Sequence, residues 1–208
     1  MTVPHVLDTD APQRARTAFV IGVGREMAPE WDTSRVPQAL RRLTAAAQPY
    51  APHSRELSVV YFGTSVLLSQ PTTLGEFEQI GLFNHPNCGP GSNLSAGIYA
   101  ALSQREGDER LHIYVVSDCN IDPEELERAT YAIEHARNVI VILIRVSTDA
   151  EGLDSAYELD TFATGPADKV ELVHYNDAKG RDVGANLETH VSNRMSAILA
   201  RRHMPAAV

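Results

Sequence analysis

The chain has 208 residues, enough for one domain or slightly more, and 43% of them are hydrophobic, enough to bury a sizeable core. The formal net charge is −9, which argues against a nucleic-acid or membrane surface because both of those partners require a basic patch. We therefore expect neither nucleic acid nor a membrane as a partner.

The outline of the chain indicates one central domain with short flanking segments. Residues 1–16 are polar and lack the apolar core of a signal peptide, so we interpret them as a mobile arm. The domain is predicted at 17–201, with a tail at 202–208. Two cysteines, Cys88 and Cys119, are too few for a disulfide scaffold. No apolar run approaches the roughly 20 residues of a membrane span, so we expect a cytoplasmic protein. Its oligomeric state stays open.

Strand and helix patterns alternate along the domain. Buried-strand patterns occupy residues 17–23, 57–62, 111–116, 139–146 and 170–175. Helical patterns occupy residues 37–48, 94–104, 122–137, 154–162 and 187–201, with an ambiguous short helix within 71–82. Residues 66–68 are predicted to form a short strand, antiparallel to the one before it. Together they predict an α/β fold: a three-layer, doubly wound, Rossmann-like and mostly parallel six-stranded sheet.

Ligands bind such sheets beyond the carboxyl ends of the strands, so the loops at 22–27, 84–93 and 117–120 are expected to meet there. The first of these is a glycine turn, Gly22-Val23-Gly24, but a dinucleotide fingerprint requires a third glycine where Met27 stands. The chain also contains neither a P-loop sequence nor a G-x-S-x-G nucleophile elbow. A phosphate- or nucleotide-using enzyme therefore remains only as an alternative.

Two further loops carry a recognisable pattern. Residues 89–94 read Gly-Pro-Gly-Ser-Asn-Leu and open a helix, and Ser117-Asp118 ends a strand. In order and spacing, these loops and the flanking elements resemble the von Willebrand factor A (vWA) domain over nearly the whole chain. That family holds a divalent metal with Asp-x-Ser-x-Ser in the first loop, a Thr in the second and an Asp in the third. The resemblance places Ser92 at the Thr position and Asp118 at the Asp position.

The first loop departs from the family pattern. Gly22 stands at the position of the Asp, Gly24 at that of the first Ser and Glu26 at that of the second. A hard divalent cation requires several oxygen ligands, and the two glycines supply none. Glu26, Ser92 and Asp118 remain as weak candidate metal ligands. We therefore expect a degenerate metal-ion-dependent adhesion site and no cofactor, with a weak Mg²⁺ site as the alternative.

Each candidate ligand also has a simpler structural interpretation. Glu26 would favour the positive end of a helix, Ser92 would be a helix N-cap, and Asp118 would cap the turn after its strand.

The cysteines flank the same predicted site and leave their role open. Cys88 and Cys119, together with His85, allow a zinc site or a cysteine nucleophile on paper. The simpler interpretation is two half-buried reduced thiols.

The vWA resemblance implies a binding and scaffold module that grips another protein, rather than an enzyme. Because the first loop lacks ligands, we expect metal-independent binding within a larger bacterial intracellular assembly. The alternative is a Mg²⁺- or Mn²⁺-dependent vWA module with a reduced site. The expected partner-binding rim consists of Gly22, Gly24, Arg25, Glu26, Ser92, Asn93, Asp118 and Asn120.

Overall fold

The computed structural model describes residues 15–47, 57–80, 87–105, 110–147 and 170–174. The strands are β1 (Ala15–Gly22), β2 (Leu57–Phe62), β3 (Val66–Leu68), β4 (Arg110–Ser117), β5 (Val139–Arg145) and β6 (Val170–His174). The helices are α1 (Ala28–Asp32), α2 (Arg35–Ala47), α3 (Leu74–Ile80), α4 (Leu94–Leu102) and α5 (Pro123–His135), with a 3₁₀ turn at Arg25–Met27. The helices predicted at 154–162 and 187–201 lie outside the described residues, as do the tail and most of the predicted arm.

The strands form one six-stranded sheet in the order β3-β2-β1-β4-β5-β6. All neighbours pair in parallel except β3, which runs antiparallel to β2 as predicted. Phe19 at the middle of β1 is in register with Val59 of β2 and with Tyr114 of β4. The strand order reverses direction at β1, so the crevice beyond the ends of β1 and β4 is the expected ligand position of a doubly wound sheet. The predicted α/β fold class is confirmed.

Helices cover both faces of the sheet, which explains the near-continuous apolar strands. Phe19 and Ile21 of β1 belong to a core cluster that includes residues of α1, α2 and α3. Ala18 and Val20, the alternate positions of β1, belong to a second cluster with α4 and α5. All residues of β2 and of β5 are buried. Phe19 also makes an edge contact with Phe77 of α3, at 5.2 Å between ring centroids.

Helices α4 and α5, which cover the same face of the sheet, both begin with a side-chain N-cap. Asp122 accepts a hydrogen bond from the Glu124 amide at 2.9 Å, and Pro123 occupies the first turn of α5, as the sequence predicts. Asn93 accepts from the Ala96 amide at 3.2 Å and is the N-cap of α4. Among the described residues, no helix has both the length and the apolarity needed to cross a membrane.

Candidate functional site

The three predicted loops come together at the carboxyl ends of the strands. The Val23 amide donates to the Phe62 carbonyl at 2.9 Å, which joins the first loop to the end of β2. The Asn93 amide donates to the Gly63 carbonyl at 2.9 Å, which joins the loop before α4 to the same strand end. The third loop, which follows β4, approaches the first through Met27.

Met27 fills the space beside Gly22. A Cβ atom added to Gly22 would lie 3.1 Å from Met27 Cγ and 3.4 Å from the carbonyl oxygen of Val116. The Met27 side chain is itself buried, and its sulfur lies 3.1 Å from the backbone nitrogen of Asp118. An aspartate at position 22 would therefore require the Met27 side chain to shift, and the thioether that lies there is a poor ligand for a hard cation.

Gly24 is required by a close approach of two loops. A Cβ atom added there would lie 2.5 Å from the Gly91 carbonyl oxygen and 2.9 Å from Glu26 Oε2. The backbone of Gly24 is extended, with φ −64° and ψ 167°, a conformation that any residue can adopt. Glycine is therefore needed at this position for lack of space and not for its backbone angles. Any larger residue at position 24 would force the first loop away from the second.

Glu26 bridges the first and second loops. Its Oε2 accepts a hydrogen bond from the Gly91 amide at 2.8 Å. Gly89 and Gly91 both have positive φ, 81° and 83°, a backbone conformation that glycine adopts at low cost. The carboxylate that sequence reasoning offered as a metal ligand, or as a partner of a helix dipole, is therefore bonded to the opposite loop.

Asp118 caps its own turn, which is the simpler role offered for it. Its Oδ1 accepts from Ser117 Oγ at 3.2 Å and from the Asn120 amide at 3.3 Å. Burial raises the pKa of Asp118; the hydrogen bonds from Asn120 and Ser117 oppose that rise, and the Glu26 carboxylate adds to it. The two carboxylates thus interact unfavourably across the rim.

Ser92 does not cap α4, because Asn93 does. The interpretation of Ser92 as the N-cap is therefore wrong by one residue. Its hydroxyl oxygen is buried and has no hydrogen-bond partner among the described residues. This orphaned oxygen is a feature of the site that suits a missing ligand.

The donor set as a whole does not fit a hard divalent cation. Gly22 and Gly24 supply no side-chain oxygen, a side chain at position 22 would have to displace Met27, position 24 has no room for one, and one oxygen of the Glu26 carboxylate accepts from the Gly91 amide. Among the described residues, no group of three or more histidine, cysteine or acidic side chains is placed to hold a metal ion.

The remaining rim residues differ in exposure. Arg25, Glu26 and Asn120 are exposed, whereas Asn93 is half-buried. Gly22 and Gly24 are buried, so they shape the rim rather than present a surface.

The cysteines lie in opposite core clusters. Cys88 packs with the residues of α1, α2 and α3, and Cys119 packs on the face covered by α4 and α5. Both are free thiols. Burial raises the pKa of each, and the Asp118 charge raises that of Cys119 further. This placement opposes a shared zinc site and a thiolate nucleophile; His85 lies outside the described residues.

Sequence reasoning missed the short helix α1 and its tryptophan. Trp31 is buried and donates from Nε1 to the Gly22 carbonyl at 3.0 Å, which fixes the end of β1. Pro29 in the first turn was an available signal for a helix start. The roles of Met27 and Gly91 carried no sequence signal, because they depend on contacts between distant loops.

Comparison with known proteins identifies the fold. No protein-family model and no curated protein sequence matches the chain. Solved structures do match. An aerotolerance-related membrane protein from Bacteroides fragilis has a TM-score of 0.64 at 12% identity, over 88% of this chain and 99% of that one. A von Willebrand factor type A protein from Catenulispora acidiphila has a TM-score of 0.60 at 12% identity, over 88% of this chain and 43% of that protein. The PilB minor pilin from Streptococcus sanguinis has a TM-score of 0.63 at 11% identity, over 94% of this chain and 64% of the pilin.

The fold of this chain is that of the vWA domains. At such low identity the likeness establishes the fold alone. The chain spans nearly all of the first of these structures but less than two thirds of the other two.

Proposed function

We propose that this chain is a non-enzymatic vWA-type module that binds another protein without a metal ion. The observation that carries the proposal is the filled rim: Met27 occupies the space beside Gly22, and Glu26 joins the first loop to Gly91. Both contacts are made within the protein, so the rim is preorganised and does not require a cation to hold its loops together.

The proposed contact surface is the exposed part of the predicted rim. Arg25, Glu26 and Asn120 are exposed at the ends of β1 and β4, and Gly91 is exposed beside them. Arg25 supplies a planar cation that suits a carboxylate of the partner. Ser92, Asn93 and Asp118 are only partly accessible. We therefore expect them to support this surface rather than to form most of the contact.

The structural neighbours support a binding role in general terms. Solved structures with this fold include a minor pilin and a pilus adhesin from Lactobacillus rhamnosus GG. The same proposal places this chain in a cytoplasmic bacterial assembly, and the two buried free thiols suit a reducing compartment.

Capture of partners from the native host tests the proposal. We expect the full chain to retain its partner in excess EDTA, and the double variant Arg25→Glu with Asn120→Lys to lose it. The matched control is Glu127→Lys, which also introduces a lysine at an exposed position, on the outer face of α5. Capture that requires added Mg²⁺, or that survives the rim variant, would contradict metal-independent binding at the rim.

A second candidate is a metal-dependent module that uses Glu26, Ser92 and Asp118. The orphaned Ser92 hydroxyl favours it, as does the repulsion between the Glu26 and Asp118 carboxylates, which a cation would relieve. A cation would share the Glu26 carboxylate, whose Oε2 already accepts from the Gly91 amide, so the metal and that hydrogen bond would compete for the same group.

An enzyme that uses phosphate or nucleotides is the third candidate. It would require a phosphate cradle of backbone amides, whereas the Gly91 amide is already bonded to a carboxylate. We expect no change in melting temperature with millimolar nucleotides or inorganic phosphate, and a saturable rise would favour this candidate instead.

A further inference from the structure

Strand β3 lies at one end of the sheet, and no described strand pairs with its outer edge. Among the described residues it pairs only with β2. Two backbone hydrogen bonds show which residue pairs of β2 and β3 are hydrogen-bonded, which we call the phase of the pairing. They run from the Ser69 amide to the Val59 carbonyl at 2.8 Å and from the Gly63 amide to the Ser65 carbonyl at 3.0 Å.

This phase decides which backbone groups face outward. In an antiparallel ladder, hydrogen-bonded and non-bonded pairs alternate. Leu67 therefore directs its amide and carbonyl toward Tyr61 of β2, with which it is in register. Val66 and Leu68 direct theirs away from the sheet, and no hydrogen bond from the described part of the chain reaches them. Two donors and two acceptors therefore line this edge.

The side chains and charges at this edge are unusual for a free strand. Leu67 and Leu68 are 46% and 44% exposed, and alternation places them on opposite faces of the sheet. Residues 57–75 contain no charged side chain, although 22% of the chain is charged. Free edges are commonly protected by charges against pairing with another chain. Strand β3 itself has no such charge, and within the described residues its shortness is the feature that limits pairing.

We propose that this edge pairs with the same edge of a second copy of the chain. A two-fold axis through Leu67 sets Val66 opposite Leu68 of the partner subunit, and the reverse pair follows by symmetry. All four outward groups of each strand are then satisfied within the strands. Leu67 meets Leu67 of the partner subunit in a non-hydrogen-bonded pair, where side chains approach most closely.

Charge explains why a copy would dock here rather than elsewhere. Each chain carries a formal net charge of −9, so two copies repel one another over most of their surfaces. Strand β3 lies within the uncharged segment 57–75, so pairing at this edge places no carboxylate within the paired strands themselves. Because the paired strand has three residues, the expected dimer is weak and concentration-dependent.

Sedimentation velocity of the full chain over a concentration series tests the proposal. We expect a reversible monomer–dimer equilibrium. Leu67→Lys sets two ammonium groups opposite each other at the axis and is expected to raise the dimer dissociation constant at least about tenfold. The matched control, Tyr131→Lys, makes a similar change at a side chain that is 57% exposed on α5, and it is expected to leave the constant unchanged.

Two further variants test the register itself. Mixing Leu67→Lys protein with Leu67→Glu protein is expected to restore dimers that neither variant forms alone, because opposite charges then meet at the axis. Val66→Pro removes an outward amide but no bond to β2, and it is expected to weaken the dimer while the far-ultraviolet circular dichroism spectrum is retained. A wild-type chain that stays monomeric throughout, a dimer indifferent to Leu67→Lys, equal loss with Tyr131→Lys, or no restoration in the mixture would each overturn the proposal.

Discussion

Individual residues at the rim act mainly through the space that they fill or leave. Gly24 leaves room for the Gly91 carbonyl, and Gly22 leaves room for Met27. These two glycines are what allow the first loop to lie directly against the second and third. The absence of side-chain oxygens at positions 22 and 24 and the close packing of the rim therefore have the same cause.

Gly24→Ala is predicted to destabilise the protein by about 1–3 kcal/mol, because its Cβ would lie 2.5 Å from the Gly91 carbonyl oxygen. Gly75→Ala is the control. Apart from its own helix backbone, nothing in the described part of the chain lies within 4 Å of a Cβ atom at that helical position, so we expect no loss and a gain of up to about 1 kcal/mol. Urea denaturation measures both, and a Gly24→Ala variant as stable as wild type would contradict the packed rim.

Ser92 and Asn93 are predicted to differ although they are neighbours. Asn93→Ala removes the N-cap of α4 and is expected to cost about 1 kcal/mol. Ser92→Ala removes a buried hydroxyl that has no partner among the described residues, so it is expected to be neutral or stabilising. Thermal denaturation compares the stability of the two variants directly. A larger loss for Ser92→Ala than for Asn93→Ala would indicate that Ser92 is the cap after all.

Asp118 gives the protein a pH dependence with a defined sign. Its pKa in the folded state is raised above the ordinary value of 3.8, so the folded protein binds the proton more tightly and this group's contribution to stability falls as pH rises through that range. Asp118→Asn keeps an oxygen acceptor for Asn120 and removes the charge. We expect this variant to be more stable than wild type at pH 7, with a difference that shrinks toward pH 3. A variant less stable than wild type at pH 7 would contradict this electrostatic account.

At the scale of elements, α1 fixes the end of β1 and with it the first loop. Trp31→Phe keeps an aromatic ring but leaves the buried Gly22 carbonyl without its donor, so we expect a loss of about 1–3 kcal/mol. Chemical denaturation measures it. Tyr131→Phe, at an exposed side chain, is the matched control and is expected to change stability little. An equal effect of the two changes would show that the bond to Gly22 contributes nothing.

The elements were predictable where a pattern extends over several residues. The β-branched run of β5 and the Asp122-Pro123 start of α5 lie where the sequence predicts them. Short elements carry less signal, so α1 with its five residues was missed. The Ser92 cap was misplaced by one residue, because serine and asparagine are both favourable caps and only geometry distinguishes them.

At the scale of the whole molecule, the order of the loops indicates the fold, but their contacts cannot be read from it. Glu26 and Gly91 are separated by 65 residues, and the contact between Met27 and Asp118 joins residues 91 positions apart. A sequence shows that Gly22 and Gly24 supply no side-chain ligands, whereas only the structure shows that Met27 and the Gly91 carbonyl lie beside them.

The most direct test of the central claim is divalent-metal titration of the full chain, followed by melting temperature, with Mg²⁺ and Mn²⁺ each taken to millimolar concentration. A ligand that binds only the folded state at 100 times its dissociation constant adds about 2.7 kcal/mol of stability. We predict no change for wild type and for Asp118→Ala alike. A saturable rise with wild type that is lost in Asp118→Ala would contradict the account and show that the rim opens to hold a metal ion.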